Sequence, residues 1–71
     1  MSILDRGAEE ARRRGKDHAI IEITTVAGGA PLRGRLRHDG GYYMLETDAD
    51  TLLFVAEEHV VTMRIIGFGE R

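Results

Sequence analysis

The segment from residue 32 to residue 47 reads LRGRLRHDGGYYMLET, and its period of two predicts a β-hairpin. Leu32, Gly34 and Leu36 fall on one face of the first strand, while the arginines that alternate with them fall on the other. The stretch Asp39-Gly40-Gly41 that follows is typical of a tight hairpin turn. This hairpin is the centre from which the rest of the fold can be predicted.

One helix and three more strands are predicted around the hairpin. Ser2, followed by Asp5, resembles a capping box and predicts a helix over about residues 3–14. Short β-branched and apolar runs then predict five strands in all. Their bounds are Ala19–Val26, Leu32–His38, Tyr42–Thr47, Thr51–Ala56 and Val60–Ile66, with a break at Glu57–His59. This order predicts a mainly β fold: a strongly bent antiparallel sheet or small SH3-like barrel over about residues 19–66, in one domain spanning 1–71.

The length and composition of the chain favour a small globular protein without disulfides or a membrane span. The chain has 71 residues, no cysteine and a formal net charge of −2. A core of this size supplies only roughly 3–5 kcal/mol, and without disulfides self-association is the common way to bury more surface. No apolar run approaches the ~18 residues of a membrane span, and charges near the N-terminus argue against a signal peptide. We therefore expect a cytoplasmic protein that associates with itself.

Positive charge is concentrated near the N-terminus. Residues 1–16 carry five basic and three acidic side chains, whereas residues 17–71 carry five basic and nine acidic ones. Proteins that bind duplex DNA are normally basic over most of their surface, so duplex DNA is not an expected partner. Contact with nucleic acid would have to come from a local patch, and the cluster from Arg12 to Lys16 is the first candidate.

The order of the elements and several short motifs resemble the Sm-like fold, and within it the bacterial Hfq family. Arg12-Arg13-Arg14 ends a helix ahead of the first strand, as the rim arginines do in Hfq. Leu32-x-Gly34-x-Leu36 resembles the first Sm motif, and His59-Val60-Val61-Thr62 resembles the second. Tyr42 matches the position of an aromatic that stacks on a base. The resemblance runs from about Glu9 to Ile66 and implies a ring-forming protein that binds single-stranded RNA.

One departure from the Hfq pattern bears on function. Immediately before the histidine, Hfq has an aromatic residue and a lysine that contacts uridine and phosphate, whereas this chain has Glu57 and Glu58. Two carboxylates repel phosphate, and a ring would multiply them into an acidic pore mouth. The resemblance therefore implies the fold but not uridine binding at this face.

Each candidate RNA-binding residue also has a purely structural interpretation. The basic helix end would complement the helix dipole, and Arg33 and Arg35 would lie near Asp48 and Glu46 across the hairpin. Arg37 lacks such a partner, and an exposed tyrosine at a hairpin can stack a base or fill a subunit interface. The candidate residues are Arg12, Arg13, Arg14, Lys16, Arg37, Tyr42 and His59.

The sequence predicts no enzyme, no cofactor and no metal site. Glu58 and His59 are neighbours on an extended segment, so their side chains are expected on opposite faces. The sequence holds no nucleophile–base pair, phosphate loop or dinucleotide fingerprint. A metal bound at the centre of a ring, by His59 or Glu58 from every subunit, is the one alternative left open.

Two functions of different classes are consistent with these patterns. The first is an Sm-like, RNA-associated protein that acts by binding, as a homo-oligomeric ring of about five to seven subunits closed by pairing of strand edges. The second is a structural or protein-binding module of the same fold that has lost RNA binding. The Arg12–Lys16 cluster favours the first, while Glu57, Glu58 and the acidic remainder of the chain favour the second.

Overall fold

A computed structural model describes residues 2–70 and contains one helix and five strands in that part of the chain. The elements are α1 (Ile3–Arg13), β1 (His18–Thr25), β2 (Leu32–Asp39), β3 (Tyr42–Glu46), β4 (Leu52–Ala56) and β5 (Val60–Gly69). A 3-10 turn, Glu57–His59, links β4 to β5 at the predicted break. The predicted mainly β class with one N-terminal helix is therefore confirmed.

The helix begins and ends close to its predicted bounds. The Asp5 N–H donates a hydrogen bond of 3.2 Å to the side-chain oxygen of Ser2, as the predicted N-cap requires. Gly15 follows the helix in the left-handed conformation, with φ of 71°. No helix within residues 2–70 has the length and apolar character needed to cross a membrane.

The five strands form one antiparallel sheet in the order β4-β3-β2-β1-β5. β1 lies between β2 and β5, with Ile21 opposite Gly34 of β2 on one side and Ile65 of β5 on the other. β4 and β5 are the two edges, and within residues 2–70 no ladder joins them. The predicted five-stranded antiparallel sheet is therefore confirmed, but it is not closed into a barrel, because its edge strands do not pair with each other.

β2 changes its partner in the middle of the strand. Leu32–Gly34 pair with β1, whereas Arg35–Asp39 pair with β3. The change occurs where a side chain cannot fit, because a Cβ atom on Gly34 would collide with the main-chain carbonyl of Glu46. Glycine at this position therefore permits the close approach of β2 and β3.

The core lies on the face of the sheet against which α1 packs. Four apolar side chains from β1, β2 and β3 are buried: Ile21, Ile23, Leu36 and Leu45. Ile3 and Leu4 of the helix pack against this group, and Gly7 brings the helix within contact of Ala19. The opposite face of the sheet, called the outer face below, carries the side chains of Glu22, Arg33 and Arg37.

Candidate nucleic-acid interface

The basic cluster at the end of α1 is exposed, but two of its arginines are already paired on the same helix. Arg13 lies 2.5 Å from one carboxylate oxygen of Glu10, and Arg14 lies 3.6 Å from the other. Arg12 has no ion-pair partner within residues 2–70. Of the three consecutive arginines, Arg12 is therefore the one whose charge is most available to a ligand.

The end of β5 supplies further partners for this cluster. Lys16 Nζ lies 2.6 Å from Glu70 Oε1, and the lysine holds the pKa of that carboxyl below its ordinary value. The guanidinium of Arg14 lies over the ring of Phe68, 4.7 Å from its centroid. The helix end predicted to bind RNA is therefore partly neutralised by the chain itself, which the sequence pattern does not indicate.

Arg35 has the predicted neighbour across the hairpin but a different ion-pair partner. It is directly opposite Glu46 in the β2–β3 ladder, as the hairpin turn predicts. Its guanidinium instead lies 3.5 Å from the carboxylate of Asp17, in the link between α1 and β1. Arg35 thus ties the hairpin to the start of β1.

A buried carboxylate, Glu22, which no motif of the sequence marks as a site residue, holds two arginines on the outer face. Glu22 of β1 accepts hydrogen bonds from Nε of Arg33 on β2 (2.8 Å) and Nε of Arg64 on β5 (2.7 Å). These bonds, led by the one from Arg33, lower the pKa of Glu22, while burial opposes them. The predicted ion pair between Arg33 and Asp48 is therefore wrong: Arg33 is directly opposite Glu22 in the β1–β2 ladder and pairs with it. The signal in the sequence was a single acidic residue inside an isoleucine-rich strand.

Arg37 and Tyr42 lie together on the outer face of the β2–β3 hairpin. Arg37 is opposite Met44, and Tyr42 precedes Met44 by two residues and so shares its face. Both Arg37 and Tyr42 are exposed, and Arg37 has no ion-pair partner in the described chain, residues 2–70. Tyr43 packs against the core instead, with its ring centroid 4.9 Å from that of His38. Of the two neighbouring tyrosines, Tyr42 is therefore the exposed one.

His59 lies in the acidic 3-10 turn that precedes β5. Its side chain is exposed. Glu57 in the same turn is anchored to the hairpin, since its N–H donates to the carbonyl of Gly41 (2.9 Å) and its carboxylate lies 2.8 Å from His38 Nε2. Among residues 2–70, no group of three or more potential metal-ligating side chains is arranged to hold an ion.

The two edges of the sheet carry exposed apolar side chains. On β4, Leu52 and Phe54 are 52% and 62% exposed, and on β5, Val61 and Ile66 are 60% and 41% exposed. Along the edge that points away from the rest of the sheet, the main-chain N–H and C=O groups of β4 and β5 have no ladder partner. Apolar surface and unpaired backbone therefore occur at the same two places.

The predicted site residues thus fall into three groups on different elements. Arg12–Lys16 follow the end of α1, Arg37 and Tyr42 share the outer face of the hairpin, and His59 lies in the turn before β5. The chain matches no family model, no curated protein and no solved structure at significant similarity. Function is therefore inferred from the fold and from the geometry of these groups.

Proposed function

We propose that the chain is an Sm-like subunit that assembles into a cytoplasmic ring and associates with single-stranded RNA by binding, without catalysis. The observation that carries this proposal is the coincidence of exposed apolar side chains with unpaired backbone at both sheet edges. The partner change of β2 at Gly34, within the Leu32-x-Gly34-x-Leu36 motif, supports the Sm-like assignment.

The two edges differ in sequence, and this difference determines the kind of assembly. If β4 of one copy pairs with β5 of the next, the contact is heterologous and closes into a ring when the rotation per subunit permits. A sheet that continues across the contact keeps its faces continuous, so Phe54 of one copy would lie on the same face as Arg64 of its neighbour. Closure removes the open edges that would otherwise recruit further strands.

RNA association rests on the cationic and aromatic residues that the structure leaves accessible. Arg12 at the helix end and Arg37 on the hairpin can pair with phosphate, and Tyr42 exposes a ring for stacking. The charges of Arg13, Arg14 and Lys16 still contribute to the positive electrostatic potential at the helix end, although each has an acidic partner within the chain. The acidic turn that contains His59 opposes phosphate, so we place uridine binding elsewhere.

Sedimentation velocity at micromolar concentration tests the assembly. Wild-type protein is expected to sediment as a closed ring of about five to seven subunits. Leu52→Lys on β4 and Val61→Lys on β5 each place a charge at one edge, and each is expected to give monomers. Val26→Lys is the matched control, because Val26 is as exposed as Val61 but follows β1 in a turn. A monomeric wild-type protein would remove the ring from the proposal.

Mixing the two edge variants distinguishes heterologous pairing from pairing of like edges. Each variant keeps one intact edge, β5 in Leu52→Lys and β4 in Val61→Lys, so an equimolar mixture is expected to form dimers and nothing larger. If β4 pairs with β4 instead, Val61→Lys alone forms dimers. If β5 pairs with β5, Leu52→Lys alone does so.

A second function, a structural ring without RNA binding, is favoured by a specific observation. Glu57 and Glu58 are exposed in the turn, and three of the four helix-end cations are engaged within the described chain. Filter binding to oligo-U and oligo-A at two salt concentrations decides between the two functions. Salt-sensitive binding supports the first, and no binding at low salt leaves the second.

A further inference from the structure

Two exposed aromatic side chains lie on the outer face of neighbouring strands. Tyr42 on β3 is 54% exposed and Phe54 on β4 is 62% exposed. Met44 is directly opposite Phe54 and two residues from Tyr42 on the same face, so the two aromatic residues are diagonal neighbours. In an antiparallel pair such neighbours lie about 7–8 Å apart, close enough for both rings to act on one ligand.

We propose that Tyr42 and Phe54 form a stacking surface for the bases of single-stranded RNA, with Arg37 beside them to pair with phosphate. This inference rests on the proposed RNA association and places its main contact on the outer face rather than at the helix end. Exposed aromatic rings stack on bases irrespective of sequence, because every base presents a π-face. Phe54 lies within the apolar run Thr51–Ala56, and that pattern predicts a strand without indicating an exposed ring.

The charges around the aromatic pair fix the side on which phosphates would run. On the β2 side, Arg35 and Arg37 line a small cleft together with Met44, and two carboxylates are also on that side: Glu46 in the cleft and Asp39 directly opposite Tyr42. On the opposite side, Tyr42 borders a groove lined by the acidic 3-10 turn. Phosphates are therefore expected on the arginine side, where Arg37 has no competing ion-pair partner within residues 2–70.

Groups of the chain itself compete less with RNA for the aromatic pair than they do for the cations of the helix end. Arg14 is already engaged by Phe68, and Lys16 by Glu70. Neither exposed ring of the aromatic pair is occupied in this way, since the ring contacts within residues 2–70 involve Tyr43 and Phe68 instead. Edge pairing of β4 runs through its main chain and the edge-facing side of its apolar side chains, so it leaves the solvent-facing side of the Phe54 ring open to a ligand.

The test separates an aromatic ring from mere apolar bulk. Tyr42→Leu and Phe54→Leu keep an apolar side chain but remove the ring, whereas Tyr42→Phe and Phe54→Tyr keep the ring. Fluorescence anisotropy with labelled oligo-U and oligo-A at low salt measures affinity, and sedimentation velocity monitors assembly. Each leucine variant is expected to weaken binding roughly five- to hundredfold, while the aromatic variants stay within about twofold of wild type. Assembly is expected to be unchanged in all four.

A charge comparison tests the role of Arg37 separately. Arg37→Ala is expected to weaken binding and to lower its salt dependence, because one phosphate contact is lost. Arg6→Ala is the matched control, since Arg6 is an exposed arginine on α1 outside every candidate group. Equal effects of the two substitutions would mean that only net charge matters, and Arg37 would lose its role in the proposal.

The outcomes for stacking and for RNA association are distinguishable. If wild-type protein binds RNA and both leucine variants bind equally well, the stacking surface is wrong while the proposed function stands. If wild-type protein does not bind, both are wrong. If the leucine variants lose assembly together with affinity, the aromatic pair is an interface between copies of the chain, and stacking is again overturned.

Discussion

The backbone of Gly34 on β2 lies directly against the carbonyl group of Glu46 on β3, with no room for a side chain between them. At this contact β2 leaves the ladder with β1 and enters the ladder with β3. The position of the whole β2–β3 hairpin, and with it that of Arg37 and Tyr42, therefore depends on one close backbone approach.

Replacing Gly34 with alanine should destabilise the fold. The added methyl group would force β2 and β3 apart, and overpacking of this kind costs about 1–3 kcal/mol. For a chain of this length each kcal/mol lowers the melting temperature by roughly 4–8 °C. Thermal unfolding followed by circular dichroism, at one fixed protein concentration, measures the change. Gly41→Ala is the control, because nothing lies within 4 Å of a Cβ atom there; equal losses would contradict the predicted clash.

The outer-face carboxylate of Glu22 should make stability depend on pH. Hydrogen bonds from Arg33 and then Arg64 lower its pKa below the ordinary value of 4.5, so the folded state favours the ionised form. This stabilisation is complete above about pH 4.5, which is the pKa expected in the unfolded chain, and it is lost as the pH falls through the lower pKa of the folded state. Urea unfolding at pH 7, 4.5 and 3 is expected to show the loss, and Glu22→Gln should flatten the profile.

Arg12 and Arg13 should differ in their contribution to RNA binding although they are adjacent. Arg12→Ala is expected to weaken oligonucleotide binding and to lower the salt slope of log K by about 0.7, the value for one phosphate contact on a single strand. Arg13→Ala should do less, because Arg13 is already paired with Glu10. Filter binding over a salt series measures both. A larger effect at Arg13 would show that the pair with Glu10 does not limit this arginine.

Reversing the charge of Glu58 should strengthen RNA binding. Glu58 and Tyr42 line the same groove, so the carboxylate keeps phosphate away from that side of the ring, and a lysine there would open a second path for phosphate, worth about 1 kcal/mol per close pair even in water. Glu58→Lys is therefore expected to raise affinity for oligo-U several-fold. Asp48→Lys makes the same change of charge in the β3–β4 turn and serves as the control. If both raise affinity equally, the gain reflects net charge and not the groove.

The hairpin was predictable from the sequence because the residues that determine its turn and register are adjacent along the chain. Asp39-Gly40-Gly41 sets the turn, and the turn sets the register that places Arg35 opposite Glu46. The partner of Arg33 was not predictable, because it depends on how β1 aligns with β2 across the intervening loop. The ion pair from Arg35 to Asp17 was missed for the same reason, since it joins elements that no turn places side by side.

The C-terminal end of β5 is a second feature that local sequence patterns did not predict. The strand was predicted to stop at Ile66, before a glycine, yet it continues to Gly69. It continues because β1 begins at His18, and His18 pairs with Gly69. That extension brings Phe68 to Arg14, so the partial neutralisation of the helix end follows from a pairing that only the folded sheet reveals.

The hydrogen bonds from the two arginines to Glu22 also favour the correct register of β1 with both of its neighbouring strands. They come from positions 11 and 42 residues away along the chain, one from each strand that flanks β1. Sliding either strand by one residue would turn its arginine toward the core face and leave a buried carboxylate with one partner fewer. A single acidic side chain is therefore expected to penalise misaligned forms of both ladders at once.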